Sequence, residues 1–194
     1  MVMRSSGSDG LTAAATAPTH DASHRPENQV LPFVSPLEGV IGAGGLEWLE
    51  TIMAIDLVPL CTVHVQLNPP TEVGLGPAGT RLIFEHQSAN LQGDRLDAKL
   101  TGAATADWFT VGPEGTGTLD IRATYRTHDD AIIFVQYQGR VDLTQGTDPP
   151  KTIYVAPRFE TGDERYVWLN RIQAAGKGIV HEDLSIDFEW YELR

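Results

Sequence analysis

A chain of 194 residues, 41% of them hydrophobic, is long enough to bury one core of its own, so a single folded domain is the default expectation. Its 26 acidic against 14 basic residues give a formal net charge of -12 with no Lys/Arg run, which repels a phosphate backbone and excludes nucleic acid as an expected partner. No apolar run approaches membrane-spanning length and Met1–Gly7 lacks the apolar centre of a secretory signal, so no membrane partner and a cytoplasmic location are expected.

Residues 1–29 are rich in Ser, Thr, Ala, Gly, Asp and His without a hydrophobic period, which predicts a flexible tail. Residues 30–56 read as an arm: Pro32, Pro36 and several glycines precede Leu46–Met53, where Trp48, Leu49 and Ile52 share a face of one short helix. Such a helix can cap the main domain or dock on another subunit, so a homo-oligomer contact through the arm is one expectation.

From Leu57 to Arg194 the chain breaks into short β-like runs separated by Gly, Pro, Asn and Asp. Expected strands are Leu57–Leu67, Arg81–Leu91, Arg95–Thr101, Thr118–Thr127, Ala131–Gln138, Thr152–Glu160, Tyr166–Ala174 and Leu184–Leu193. Pro157–Asn170 reads as a hairpin, with Asp163-Glu164 at its tip and Arg165–Asn170 as the returning strand. Leu119, Ile121, Ala123 and Tyr125 alternate with Asp120, Arg122, Thr124 and Arg126, the period of a wall with one buried face. Consecutive strands without intervening helices predict an all-β fold, a closed antiparallel β-barrel of about eight strands that leaves no open edge and whose interior can hold one small ligand.

Gly76-Pro77-Ala78-Gly79-Thr80-Arg81, Ala106-Asp107-Trp108, Leu119-Asp120-Ile121-Arg122, Thr127-His128-Asp129-Asp130-Ala131, Arg158–Gly162 and Arg165–Asn170 follow one another in an order and spacing that resembles the DUF3237 family, also called UPF0311. The resemblance covers roughly Leu57 to the C-terminus. It implies a compact antiparallel β-barrel and supplies no activity.

Two carboxylates stand out, Glu160 and Asp107. In a water-poor cavity either has a raised pKa and serves as proton donor or acceptor; the bland alternatives are ion pairing of Glu160 with Arg158 or Arg165, and a turn cap at Asp107. Tyr137 and Tyr166 are candidate hydroxyl donors, while Arg122, Arg158 and Asn170 are candidates for holding a carboxylate, enolate or phenolate. Trp108 and Trp168 are candidate walls for a flat ligand, against the alternative that these aromatics fill the barrel. His64 and His86 share no ligand spacing, so no metal is expected. No nucleophile elbow, phosphate loop or dinucleotide fingerprint is present, and no cofactor is expected. Cys61, the one cysteine, reads as a small buried hydrophobe.

Together these residues point to a cofactor-independent enzyme holding a small aromatic or polyketide-like molecule in a barrel pocket and catalysing cyclisation, isomerisation or a related acid–base reaction. The alternative is a carrier with the same barrel and no chemistry.

Overall fold

The computed structural model describes residues 54–194, so the expected tail, the Leu46–Met53 helix and all of the expected arm but residues 54–56 lie outside the described residues. Ten strands follow in order: β1 Leu57–Leu67, β2 Thr71–Gly76, β3 Gly79–Gln92, β4 Ala98–Leu100, β5 Ala106–Val111, β6 Thr116–Thr127, β7 Ile132–Asp142, β8 Lys151–Glu160, β9 Gln173–Val180 and β10 Ser185–Leu193. Neighbours pair antiparallel from β6 through β10, β10 pairs β1, and β1 returns to β3. β4 and β5 occupy successive stretches between β3 and β6, so the two together complete an eight-stave closed barrel.

Alternation decides which residues enter the barrel. Leu119, Ile121, Ala123 and Tyr125 of β6 are buried, as are Ile153, Val155 and Phe159 of β8 and Ile186, Phe188 and Trp190 of β10. The centre is packed with rings: Trp190 meets Tyr137 at 5.4 Å and Phe159 at 6.0 Å between centroids, and Tyr137 meets Phe188 at 6.3 Å. These edge-on contacts add to the burial of large apolar areas that holds the barrel together. A filled interior replaces the expected ligand-sized void.

The hairpin at the β8 end differs from the strand expected there. Arg165–Asn170 does not return as a strand; Val167–Arg171 form a 3-10 turn and β9 starts only at Gln173. Side chains take over the hydrogen bonds a ladder would make. Asn170 Oδ1 accepts from Thr161 N–H at 2.8 Å while its Nδ2 donates to Thr161 O at 2.9 Å, closing the loop at its base. Asp163 Oδ1 accepts from Arg165 N–H at 3.0 Å, and Arg165 reaches on to Asp129 at 2.8 Å. The loop thereby seats Leu169 and Tyr166 against the core.

β2 projects as a hairpin with β3, its one partner among the described strands. The hairpin turns at Gly79, whose φ of +109° suits glycine, and a Cβ there would run into the backbone oxygen of Val111 on β5. Gly79→Ala is therefore expected to lower stability by about 2 kcal/mol or more, read as a fall in urea midpoint with unchanged slope. Wild-type behaviour would mean the hairpin does not hold this conformation.

Candidate functional site: a buried carboxyl inside the barrel

β5 carries Asp107 into the interior because its neighbours on both sides are inward positions: Asp107 lies opposite Phe84 of β3 and Ile121 of β6. The side chain is buried, only 7% exposed. Its Oδ1 accepts from the Asp120 backbone N–H at 2.9 Å, its one hydrogen bond among the described residues. Burial pushes the carboxyl up to about 7, with the Asp120 charge adding to the rise while the backbone hydrogen bond and Arg81 oppose it. A carboxyl that titrates near neutrality can both give and take a proton.

Two further polar groups line the same small cavity. Tyr137 of β7 stands opposite Ile121; burial raises its hydroxyl well above 10, and the nearby Tyr125 and Asp107 reinforce the shift. His86 of β3 is pushed down to about 4 by burial, so the ring is neutral at ordinary pH, and its Nδ1 has no protein partner. Val65, Leu119 and Phe188 supply apolar wall, and the cavity measures about 10 Å³. Phe84 and Phe109, edge-to-face at 6.0 Å and partly buried, pack alongside.

The other expected site residues do not converge here. Glu160 and Arg158 are exposed on the outer face of β8, since Phe159 between them points inward. Glu160 borders an open groove of about 600 Å³ with Ile132, Phe134 and Asn170. The amide of Asn170 is engaged at both ends by Thr161. Arg122 also points outward, lying over the Trp108 ring at 5.3 Å and pairing with Asp120 at 3.4 Å. Tyr166 is buried with its hydroxyl donating to Asp129 at 3.0 Å, and Trp168 in the 3-10 turn stacks on Arg95 at 4.7 Å. Of the nine expected residues, only Asp107 and Tyr137 share the cavity.

Cys61 is buried and its thiol is pushed up to about 12 by burial, which keeps it from acting as a thiolate. No cluster of three or more His, Cys, Asp and Glu side chains among the described residues is arranged to hold a metal ion. His64 is spent on the outer surface, where Asp187 joins it at 2.7 Å to His181 at 3.0 Å. No helix among the described residues is long and apolar enough to cross a membrane.

Comparison with known proteins agrees with the architecture. A UPF0311 protein of Rhodopseudomonas palustris (strain TIE-1) is 28% identical over 133 residues, 63% of this chain and 86% of that protein. A β-barrel-like protein from Acinetobacter baumannii AYE superposes with a TM-score of 0.64 at 30% identity, covering 73% of this chain and 97% of that one. An enzyme from Penicillium herquei shares the fold at a TM-score of 0.55 and 21% identity, over 72% of this chain and 93% of that one. The model of the family described as "Protein of unknown function (DUF3237)" matches residues 55–193, so the barrel with its buried carboxyl belongs to a member of the DUF3237 family.

Proposed function

We propose that the protein is an acid–base enzyme acting on a small aromatic or conjugated molecule, with Asp107 as the proton donor and acceptor and Tyr137 as its hydroxyl neighbour. The observation that carries this reading is a buried carboxyl outside any ion pair, raised to about 7 and sharing a small cavity with a neutral imidazole and a phenol, whereas the other buried carboxyl, Glu192, is ion-paired with Arg95 and Arg194. Structural fold sites rarely retain such a group without a compensating charge, because burial disfavours the ionised form. The reactions it suits are those that move a proton without a cofactor: isomerisation, cyclisation or elimination. That an enzyme from Penicillium herquei is built on the same fold is in keeping with catalysis from such a barrel.

The test is deuterium uptake. The full chain is incubated in D2O with a panel of aromatic ketones and phenols, and mass spectrometry follows label entering acidic C–H positions. Uptake above the buffer rate is expected for at least one compound, with Asp107→Asn reducing it about 100-fold or more and Glu160→Gln leaving it unchanged. Uptake that survives Asp107→Asn would sink the assignment. The rival carrier reading is favoured by the open groove of about 600 Å³ beside Glu160, and predicts that a bound compound is recovered without label.

A further inference from the structure

We propose that His86, Asp107 and Tyr137 hold one water molecule in the interior cavity, and that this water carries the proton between Asp107 and a guest that never touches the carboxyl. The inference rests on the acid–base reading of the same site and adds to it what the carboxyl exchanges its proton with.

Size is the first reason. A cavity of about 10 Å³ admits one water, whereas pockets for small molecules run to roughly 300 Å³ and more. Polarity is the second. Apolar cavities of this kind stay dry, but a water with two to four polar partners is stably held. Here the partners are the Asp107 carboxyl, whose protein hydrogen bond is the one from Asp120 N–H; the His86 Nδ1, buried without a protein partner; and the Tyr137 hydroxyl, on a residue that lines the same cavity. Three groups from β3, β5 and β7 thus face one water-sized space. Nothing apolar could satisfy them.

The consequence for chemistry is a relay. As the guest takes a proton from the water, that O–H bond breaks and the Asp107 O–H passes its proton to the water oxygen, so the carboxyl ends ionised and the water is restored. The reverse sequence removes a proton from the guest. No electrons are gained or lost and no co-reactant is needed. His86 is the positioning residue for the water.

The experiment pairs a crystal structure of the full chain with a 13C NMR titration of the Asp107 carboxyl, in wild type, His86→Gln and His86→Phe. Wild type and His86→Gln are expected to show an ordered solvent peak within hydrogen-bond reach of Asp107 and residue 86. Both should also share one titration midpoint, raised above the ordinary carboxylate value by burial. In His86→Phe the peak is lost and the midpoint rises by about one pH unit, because the water no longer steadies the ionised carboxylate. His86 is pushed down to about 4, so the loss of an imidazolium charge does not explain such a rise near neutrality. The other charges acting on Asp107, Asp120 and Arg81, are the same in all three proteins. If His86→Phe does not fold, Tyr137→Phe takes its place with the same expected rise. No solvent peak in wild type, or an unmoved midpoint in the apolar variant, overturns the proposal. Unchanged deuterium uptake in Asp107→Asn would instead remove the acid–base reading and leave the water site standing.

Discussion

Asp107→Asn is expected to stabilise the protein by about 4 kcal/mol at pH 8 and to leave it nearly unchanged near pH 4. The folded carboxyl titrates at about 7 against an ordinary 3.8, so between those values the folded chain holds a proton that the unfolded chain has released. Stability from this group is therefore fully present below pH 3.8 and lost as pH rises through about 7. The full separation corresponds to about 4 kcal/mol. Asn carries no charge to bury, and its Oδ1 can still accept from the Asp120 N–H. His86 works with the opposite sign: held at about 4 against 6.5, it stays neutral while the unfolded ring protonates, so its contribution falls as pH drops through that interval. The two nearly cancel in wild type between about pH 4 and 6.5. With Asp107 gone the His86 slope stands alone, and Asp107→Asn should lose about 1.4 kcal/mol per pH unit on acidification over that range. Urea unfolding of both proteins at pH 4, 5, 6 and 8 reads this directly. A stability difference that is the same at every pH would show that Asp107 is not an acid with a raised midpoint. A gain at pH 8 joined to lost deuterium uptake is the trade of stability for function expected of an active-site carboxyl.

Much of the barrel is legible in residues that alternate cleanly. Leu119 to Tyr125 and Ile186 to Trp190 announce one buried face, and the structure puts both sets inside. The strands that escape notice lack that pattern for physical reasons. β9, Gln173–Val180, is Gly- and Ala-rich because Trp190 and Phe188 lean over it; a Cβ at Gly176 would stand 2.5 Å from Trp190 Cδ1. β2 is missed because both its faces are largely exposed, and β5 because it is short and partly covered on both. The Arg165–Asn170 segment misleads because its aromatic residues look like strand while Asn170 and Asp163 supply turn hydrogen bonds that no periodicity reveals.

The site is legible only in part. Asp107 and Tyr137 can be singled out as an acid and a hydroxyl, but their meeting across β5, β6 and β7 is a matter of register, which the sequence does not display. The outward placing of Glu160 and Arg158 was within reach, since Ile153, Val155 and Phe159 already fix the parity of β8. His86 is missed when a histidine is weighed only as a metal ligand. The usable signal is parity: it follows Phe84 by two residues, and Phe84 lies opposite Asp107.

Trp190→Ala is expected to cost about 3–5 kcal/mol, near the upper range for a single core truncation. The indole is 1% exposed and touches Tyr137, Phe159 and Phe188, and Gly176 has no side chain where the ring lies. Neighbouring strands cannot close over the vacated space, because their backbones are fixed by the ladders β10 shares with β1 and β9. For a chain of this size the loss corresponds to a fall in Tm of about 10 °C. Trp168→Ala, by contrast, removes a partly exposed ring stacked on Arg95 and should cost about 1 kcal/mol. Gly176→Ala should destabilise by about 1–3 kcal/mol through the opposite fault, overpacking against the same indole. The combination bears on function as well as stability. If Trp190 fills the barrel and does not line a pocket, its removal creates an apolar cavity beside Tyr137 that takes up benzene, and saturating benzene restores part of the lost Tm. Wild type, packed through its centre, shows no such shift. A benzene response in wild type equal to that of Trp190→Ala would mean the interior already holds room for a guest, and the relay through water would be unnecessary.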